Sequence, residues 1–250
     1  HEEQERFDSK DNQEKRSKIF IERLFIRAYL DQLQQTLDAI DKQIDKVKAR
    51  IEQTQMRLAE NMREFGHNEN LLGKINQYMN GEIPKKLPGK DLMEDDLTQI
   101  ILLLGYTPSD LDDSQVRKIL DEAAAELNKE QHLLEEKIKN DTNRIDKDTK
   151  TLDKYQRERD RIQHVMDKAI DISNDQTLDD TQKSEMATLL AKENNLSMDE
   201  LDEIRNTFLD ESSPVHKDIL HHVNNEIRTN ELQENADLDV DGLSAFMPKP

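Results

Sequence analysis

The residues whose spacing most resembles a chemical site are Asp237, Asp239 and Asp241, followed by Gly242. Alternate carboxylates ahead of a glycine match the first half of an EF-hand loop, which binds calcium through oxygen ligands. The second half departs from that pattern. Ser244 and Ala245 stand at loop positions eight and nine, and Pro248 stands where the bidentate Glu should close the site. Three carboxylates without that closing chelate bind calcium weakly. The segment therefore reads as an acidic tail, with a calcium-responsive module as an alternative. His216, His221 and His222 are five and one apart, not the four that puts two ligands on one helix face, so zinc is not expected.

Other chemistry lacks its residues. There is no Cys, hence no disulfide and no thiol nucleophile, and the six scattered Gly build no phosphate-cradling loop. No Gly-x-Ser-x-Gly elbow is present. Carboxylates abound, but none has the apolar setting and partner that mark an acid–base pair. The expectation is a protein that is not an enzyme and needs no cofactor. The net charge is −19, and from position 171 onward 19 acidic residues face 6 basic ones. A nucleic-acid binder needs a basic face to release phosphate counterions, and this C-terminal third cannot supply one, so nucleic acid is not the expected partner. Lys85, Lys86 and Lys90 form a small basic loop, Ile83–Lys90, which reads as a solvated loop, with contact to an acidic lipid head group or partner, and so peripheral membrane association, as the alternative.

Two apolar clusters are candidates for binding. Phe20, Leu24, Phe25 and Tyr29, among Ile19, Ile21, Ile26 and Leu30, cover most of one helix circumference. Either another element of the chain packs over this end or a partner does. The second cluster is the most apolar run in the chain, Leu97 to Tyr106, with Ile100, Leu104 and Tyr106 as its candidate contacts.

The elements that must carry these clusters are long helices. Ile26, Leu30, Leu33, Leu37, Ile40, Ile44, Val47, Ile51, Thr54, Leu58, Asn61 and Phe65 alternate steps of four and three, with polar residues between them. Such a heptad repeat is a narrow apolar seam on one helix, about 60 Å long for forty residues. Gly66 is the expected C-cap. A second seam runs from Leu120 through Leu127, Gln131, Leu134, Ile138, Asp141, Ile145, Asp148 and Leu152 to Met166. Folded back antiparallel, with Phe65 near Leu120, it covers the first. That register sets Thr54 beside Gln131, and leaves Asp141 and Asp148 facing Ile44 and Leu37, where they need water or a third element.

Between the seams, Asp91–Gly105 reads as a buried helix, with a strand over 98–104 as the alternative, and Asn80-Gly81 is a turn signal. Beyond Ile170 come shorter helices: one from Thr177 or Asp180, one opened by the capping box Ser197-Met198-Asp199-Glu200, and one opened at Ser213-Pro214. The fold expected is mostly α, a long antiparallel coiled-coil hairpin with a helical insert at its tip and a small C-terminal helical bundle. Its parts are a flexible lead (1–17), the hairpin (18–65 and 113–172), the insert (66–112), a short-helix bundle (173–230) and an acidic tail or linker (231–250). Hydrophobic residues make up 34% and charged residues 36%, which suits extended helices with solvated outer faces. No run of about 18 apolar residues exists to span a membrane. A start at His1 suggests a piece of a longer protein.

A Lys/Asp/Gln/Asn-rich coiled-coil hairpin, interrupted by a helical insert at Leu92–Gly105 and followed by Gly105-Tyr106-Thr107-Pro108-Ser109-Asp110, resembles the central region of the LidA family of translocated Legionella effectors. The resemblance implies a non-enzymatic module that grips a host Rab-family small GTPase. It also implies a secreted effector, acting in the host cytoplasm at vesicle membranes. The alternative is a structural coiled coil that self-associates as a tether or scaffold. An intrachain hairpin predicts a monomer.

Overall fold

The structure, a computed structural model, describes residues 2–83, 93–196, 198–199, 202–203, 205–206, 210, 212, 216–217, 221–229 and 232–233, with side chains from residue 9. The calcium half-loop of Asp237, Asp239 and Asp241 and the lysines 85, 86 and 90 lie outside these residues, as does part of the capping box at 197–200. The fold is a mostly α helical hairpin, with no strand among the described residues. Its elements are α1 (Glu2–Met79), α2 (Asp95–Leu103), a single 3-10 turn (Pro108–Asp110), α3 (Asp113–Asn174) and α4 (Asp180–Glu193). The chain divides into two compact units: His1–Lys42 with Gln156–Pro250, and Gln43–Tyr155. Both α1 and α3 contribute to each.

In the first unit, α1 supplies Phe25, Ile26, Tyr29, Leu33 and Leu37 to a core completed by Ile162, Val165 and Ala169 of α3 and by Ala187, Leu190 and Ala191 of α4. The surplus apolar residues at this end of α1 exist because three neighbours cover it. Two are α3 and α4; the third is the helical stretch at 221–229, whose Val223 and Ile227 pack with Ile21 and Phe20. One of the most enclosed polar contacts also lies here. Glu22, 0% exposed, accepts from Arg205 Nε at 2.7 Å, and the same guanidinium lies 5.7 Å over the Phe25 ring. A buried carboxylate needs such a partner to be tolerated. The stretch expected as a flexible lead is helical. The helix starts at Glu2, and Ser17 is fully buried, donating to Asn224 Oδ1 at 2.6 Å.

In the second unit, α1 and α3 run antiparallel, but the register differs from expectation by about two heptads. Asp141 meets Arg57, which donates through Nε at 3.0 and 3.1 Å, and Asn61, rather than Ile44. Asp148 meets Arg50, with bonds of 2.7 and 2.8 Å, rather than Leu37. The arginines flank the α1 seam and reach across it, as charged residues beside a coiled-coil seam do. Their guanidinium groups hold both aspartates below the usual carboxylate range. Thr54 is buried and turns its hydroxyl back to the Arg50 carbonyl at 2.8 Å, a helix-internal bond rather than a contact with Gln131.

In this register α1 does not stop at Gly66. It continues about two heptads further, through Asn68, Leu72 and Ile75 to Met79. Ending at Gly66 would strand Ile75 and Tyr78, both buried against α2 and α3. The glycine that ends the helix is Gly81, at φ +74°. Its N–H donates to the Tyr78 carbonyl, and the Glu82 N–H donates to that of Gln77. That pair of bonds is a Schellman motif. Gly105 (φ +86°) ends α2 in the same way, with Tyr106 bonded back to Ile101. At its start, α4 carries a full capping box between Asp179 and Gln182.

Two outcomes test this arrangement. Gly66 and Gly73 are exposed helix-interior residues, and an added Cβ meets nothing within 4 Å at either. Gly66→Ala and Gly73→Ala should each raise stability by about 1 kcal/mol, read as a higher melting temperature; a cap at Gly66 would make the first change destabilising. The second outcome concerns acid. Because Asp141 and Asp148 have depressed native pKa values, their contribution is complete above the unfolded value near pH 4 and lost as pH falls through the native one. Arg57 is half exposed and can rehydrate, so Asp141→Asn should cost only about 1–2 kcal/mol at pH 7. Urea midpoints across pH should show that gap closing below about pH 4.

Candidate functional site

The site is built on α2, nine residues long. Only Leu97, Thr98 and Ile101 of it are buried. They press onto Ile75, Tyr78, Met93, Val116, Ile119 and Leu120, and Ile100 packs at the edge of that core. A short helix needs one apolar stripe to dock, yet α2 and its C-cap are apolar well beyond it. Leu103 is 85% exposed, and Leu102, Leu104 and Tyr106 are each about half exposed. The Schellman turn at Gly105 aligns Leu104 and Tyr106 along one edge of a groove of about 700 Å³. Leu71 of α1 and Ile119, Ala123 and Leu127 of α3 form its other wall. Ala123 and Ala125, being small, leave room along that side. Glu122, Glu126 and Glu130 recur every four residues along α3 and make one acidic rim.

Polar contacts hold α2 and the groove walls in place. Lys74 of α1 bridges Asp96 in the first turn of α2 and Glu94 just before it, the latter at 2.8 Å, and these two carboxylates raise its pKa. Tyr78 donates to Asp113 at 2.9 Å, its pKa pushed up to about 12 by burial and then by that carboxylate. Arg117 lies 5.9 Å over the Tyr78 ring and donates to the Met79 carbonyl at 3.0 Å. It therefore ties the last turn of α1 to the first turns of α3. Seven residues below Ile75, Asn68 is buried with an Nδ2, and on α3 Gln131 with an Oε1, that have no partner among the described residues. The register places these two opposite each other, a donor and an acceptor in one seam layer.

The sequence-derived binding residues separate into two groups. Ile100, Leu104 and Tyr106 meet in the groove. Phe20, Leu24, Phe25 and Tyr29 lie in the other unit, and the expectation that Phe25 and Tyr29 face a partner is corrected. Both are buried, stacked with ring centroids 6.5 Å apart, and covered by α3 and α4. The Tyr29 hydroxyl has no partner among the described residues, and burial raises its pKa to about 12. Phe20 is half-buried against Ile21 and Val223, which leaves Leu24 as the exposed member. Leu103 belongs to the apolar run already singled out, whereas Leu71, Ala123 and the glutamate rim were missing from the expectation. The rim had a legible signal in acids at a four-residue spacing. Among the described residues no group of three His, Asp or Glu could hold a metal ion. Nor is any helix long and apolar enough to cross a membrane.

No protein-family profile, curated protein or solved structure matches the chain. The resemblance to the LidA family therefore rests on composition, heptads and the insert alone.

Substitutions separate the two faces of α2. Ile101→Ala, at a fully buried position, should cost about 2–5 kcal/mol in chemical denaturation. Leu103→Ala should stay within about 0.5 kcal/mol.

Proposed function

We propose that this chain is a protein–protein interaction module whose docking face is the groove beside α2. The observation that carries the reading is the exposure of Leu102 and Leu103 on α2, and of Leu104 and Tyr106 in the turn that ends it, while the other face of α2 is docked. Contiguous exposed apolar residues beside a groove mark interaction surfaces in water-exposed proteins. Leu and Tyr there cost hydration and add nothing to the core, so a bound partner is what would offset them.

The partner we propose is a small GTPase of the Rab family, on the strength of the resemblance to LidA-type effectors. In that setting the protein acts without catalysis, as a secreted effector at host vesicle membranes. A self-associating tether is the competing reading, and sedimentation separates the two.

The test is a pull-down against a panel of small GTPases in both nucleotide states, using the full chain and Leu103→Asp. Capture of a Rab protein by the wild type, and at least about tenfold weaker binding by the variant with its melting temperature unchanged, is the expected result. A blank across the panel sinks the GTPase assignment. Capture that Leu103→Asp leaves intact sinks the groove.

A further inference from the structure

We infer that the groove beside α2 takes one amphipathic α-helix from its partner, a helix with an apolar face and a Lys/Arg flank. The inference rests on the proposed interaction role and adds the chemistry of the occupant. Three features converge on it. The groove is bounded by walls from three elements, with Leu103, Leu104 and Tyr106 of α2 and its C-terminal turn on one side and Leu71 of α1 with Ala123 and Leu127 of α3 on the other. Such a trough accepts the i, i+3, i+4, i+7 face of a helix, and the alanines supply room where its backbone approaches.

The second feature is charge. Glu122, Glu126 and Glu130 stand along one rim at helical spacing, all exposed. Glu126 takes Lys129 at 2.7 Å, but that pair is itself solvent-exposed and leaves the stripe acidic overall. A helix lying in the groove would set every third or fourth residue of one flank opposite that stripe, so Lys or Arg is favoured there and Asp or Glu is repelled. The third feature is what this charge excludes. A second copy of a chain with net charge −19 would bring its own glutamate rim to the contact, and acidic lipid or nucleic acid would be repelled by the same carboxylates.

Fluorescence anisotropy with the full chain tests the inference. The probe is a labelled helical peptide with Leu at i, i+3, i+4 and i+7 and Lys on one flank. Its comparators are a scramble of the same composition and a Glu-flanked version. The Lys-flanked peptide should bind saturably, at least about tenfold tighter than either comparator. Neutralising the rim (Glu122→Gln, Glu126→Gln, Glu130→Gln) should weaken it about tenfold or more, and Leu103→Ser likewise. A control that neutralises Asp171, Glu185 and Glu193, exposed acids of the other unit, should change affinity less than about threefold.

Equal binding of the scramble, or equal loss in the control variant, overturns the inference: the peptide is then attracted by net charge alone. A dimer in sedimentation that Leu103→Asp dissolves overturns it in favour of a second copy, and binding to anionic vesicles that the rim variant strengthens overturns it in favour of a membrane. The GTPase panel is independent. A captured GTPase with no peptide preference leaves the interaction role standing without the helix, and a peptide preference with a blank panel leaves the groove chemistry without the Rab assignment.

Discussion

Two guanidinium–carboxylate contacts, Arg57 with Asp141 and Arg50 with Asp148, determine how α1 and α3 align in the Gln43–Tyr155 unit. Heptad seams are degenerate: sliding one helix by whole heptads still sets seam positions against seam positions. What distinguishes the registers is where the two seam aspartates land. In the expected register they meet Ile44 and Leu37, and a desolvated carboxylate there has nothing to bond. About two heptads further along, each finds an arginine that reaches across from beside the seam, and Asp141 also finds Asn61. The attraction itself is modest, because both arginines are partly exposed. Its effect comes from how costly the alternatives are.

That register has consequences along the same unit. It requires α1 to run on past Gly66, since α3 begins at Asp113 and its first turns must be covered. The extra turns carry Lys74, Ile75 and Tyr78. These residues dock α2 through an ion pair, the buried apolar contact and, at the start of α3, the Tyr78–Asp113 bond. The groove exists because α2 is held by one face only. Its second apolar face then looks out beside the open alanine stretch of α3.

The other unit solves a different problem. An α-helix with apolar residues nearly all round must be enclosed, and α3, α4 and the stretch at 221–229 enclose the segment from Ser17 to Leu37. Glu22 and Arg205 are the polar centre of that enclosure. Burying them together, with the guanidinium on the Phe25 ring, ties residues far apart in the chain. Phe25 and Tyr29 are thus enclosed, while Leu102, Leu103, Leu104 and Tyr106 stay exposed at α2 and its C-terminal turn.

By itself the sequence determined the helices and their pairing. Four–three spacing of Leu, Ile and Val has one low-energy reading, and the turn signal at Asn80-Gly81 is local chemistry that needs no distant partner. Ile100, Leu104 and Tyr106 were legible as binding candidates because their run is wider than one docking stripe. Tertiary structure decided the rest. Whether Gly66 ends a helix depends on whether Ile75 and Tyr78 find cover, which no local signal reports. Whether Phe25 and Tyr29 face water or α4 depends on residues about 160 positions away. Which face of α2 stays exposed depends on the register, and the register turns on ion pairs between residues 84 and 98 positions apart. Heptad periodicity cannot encode that choice, because it repeats.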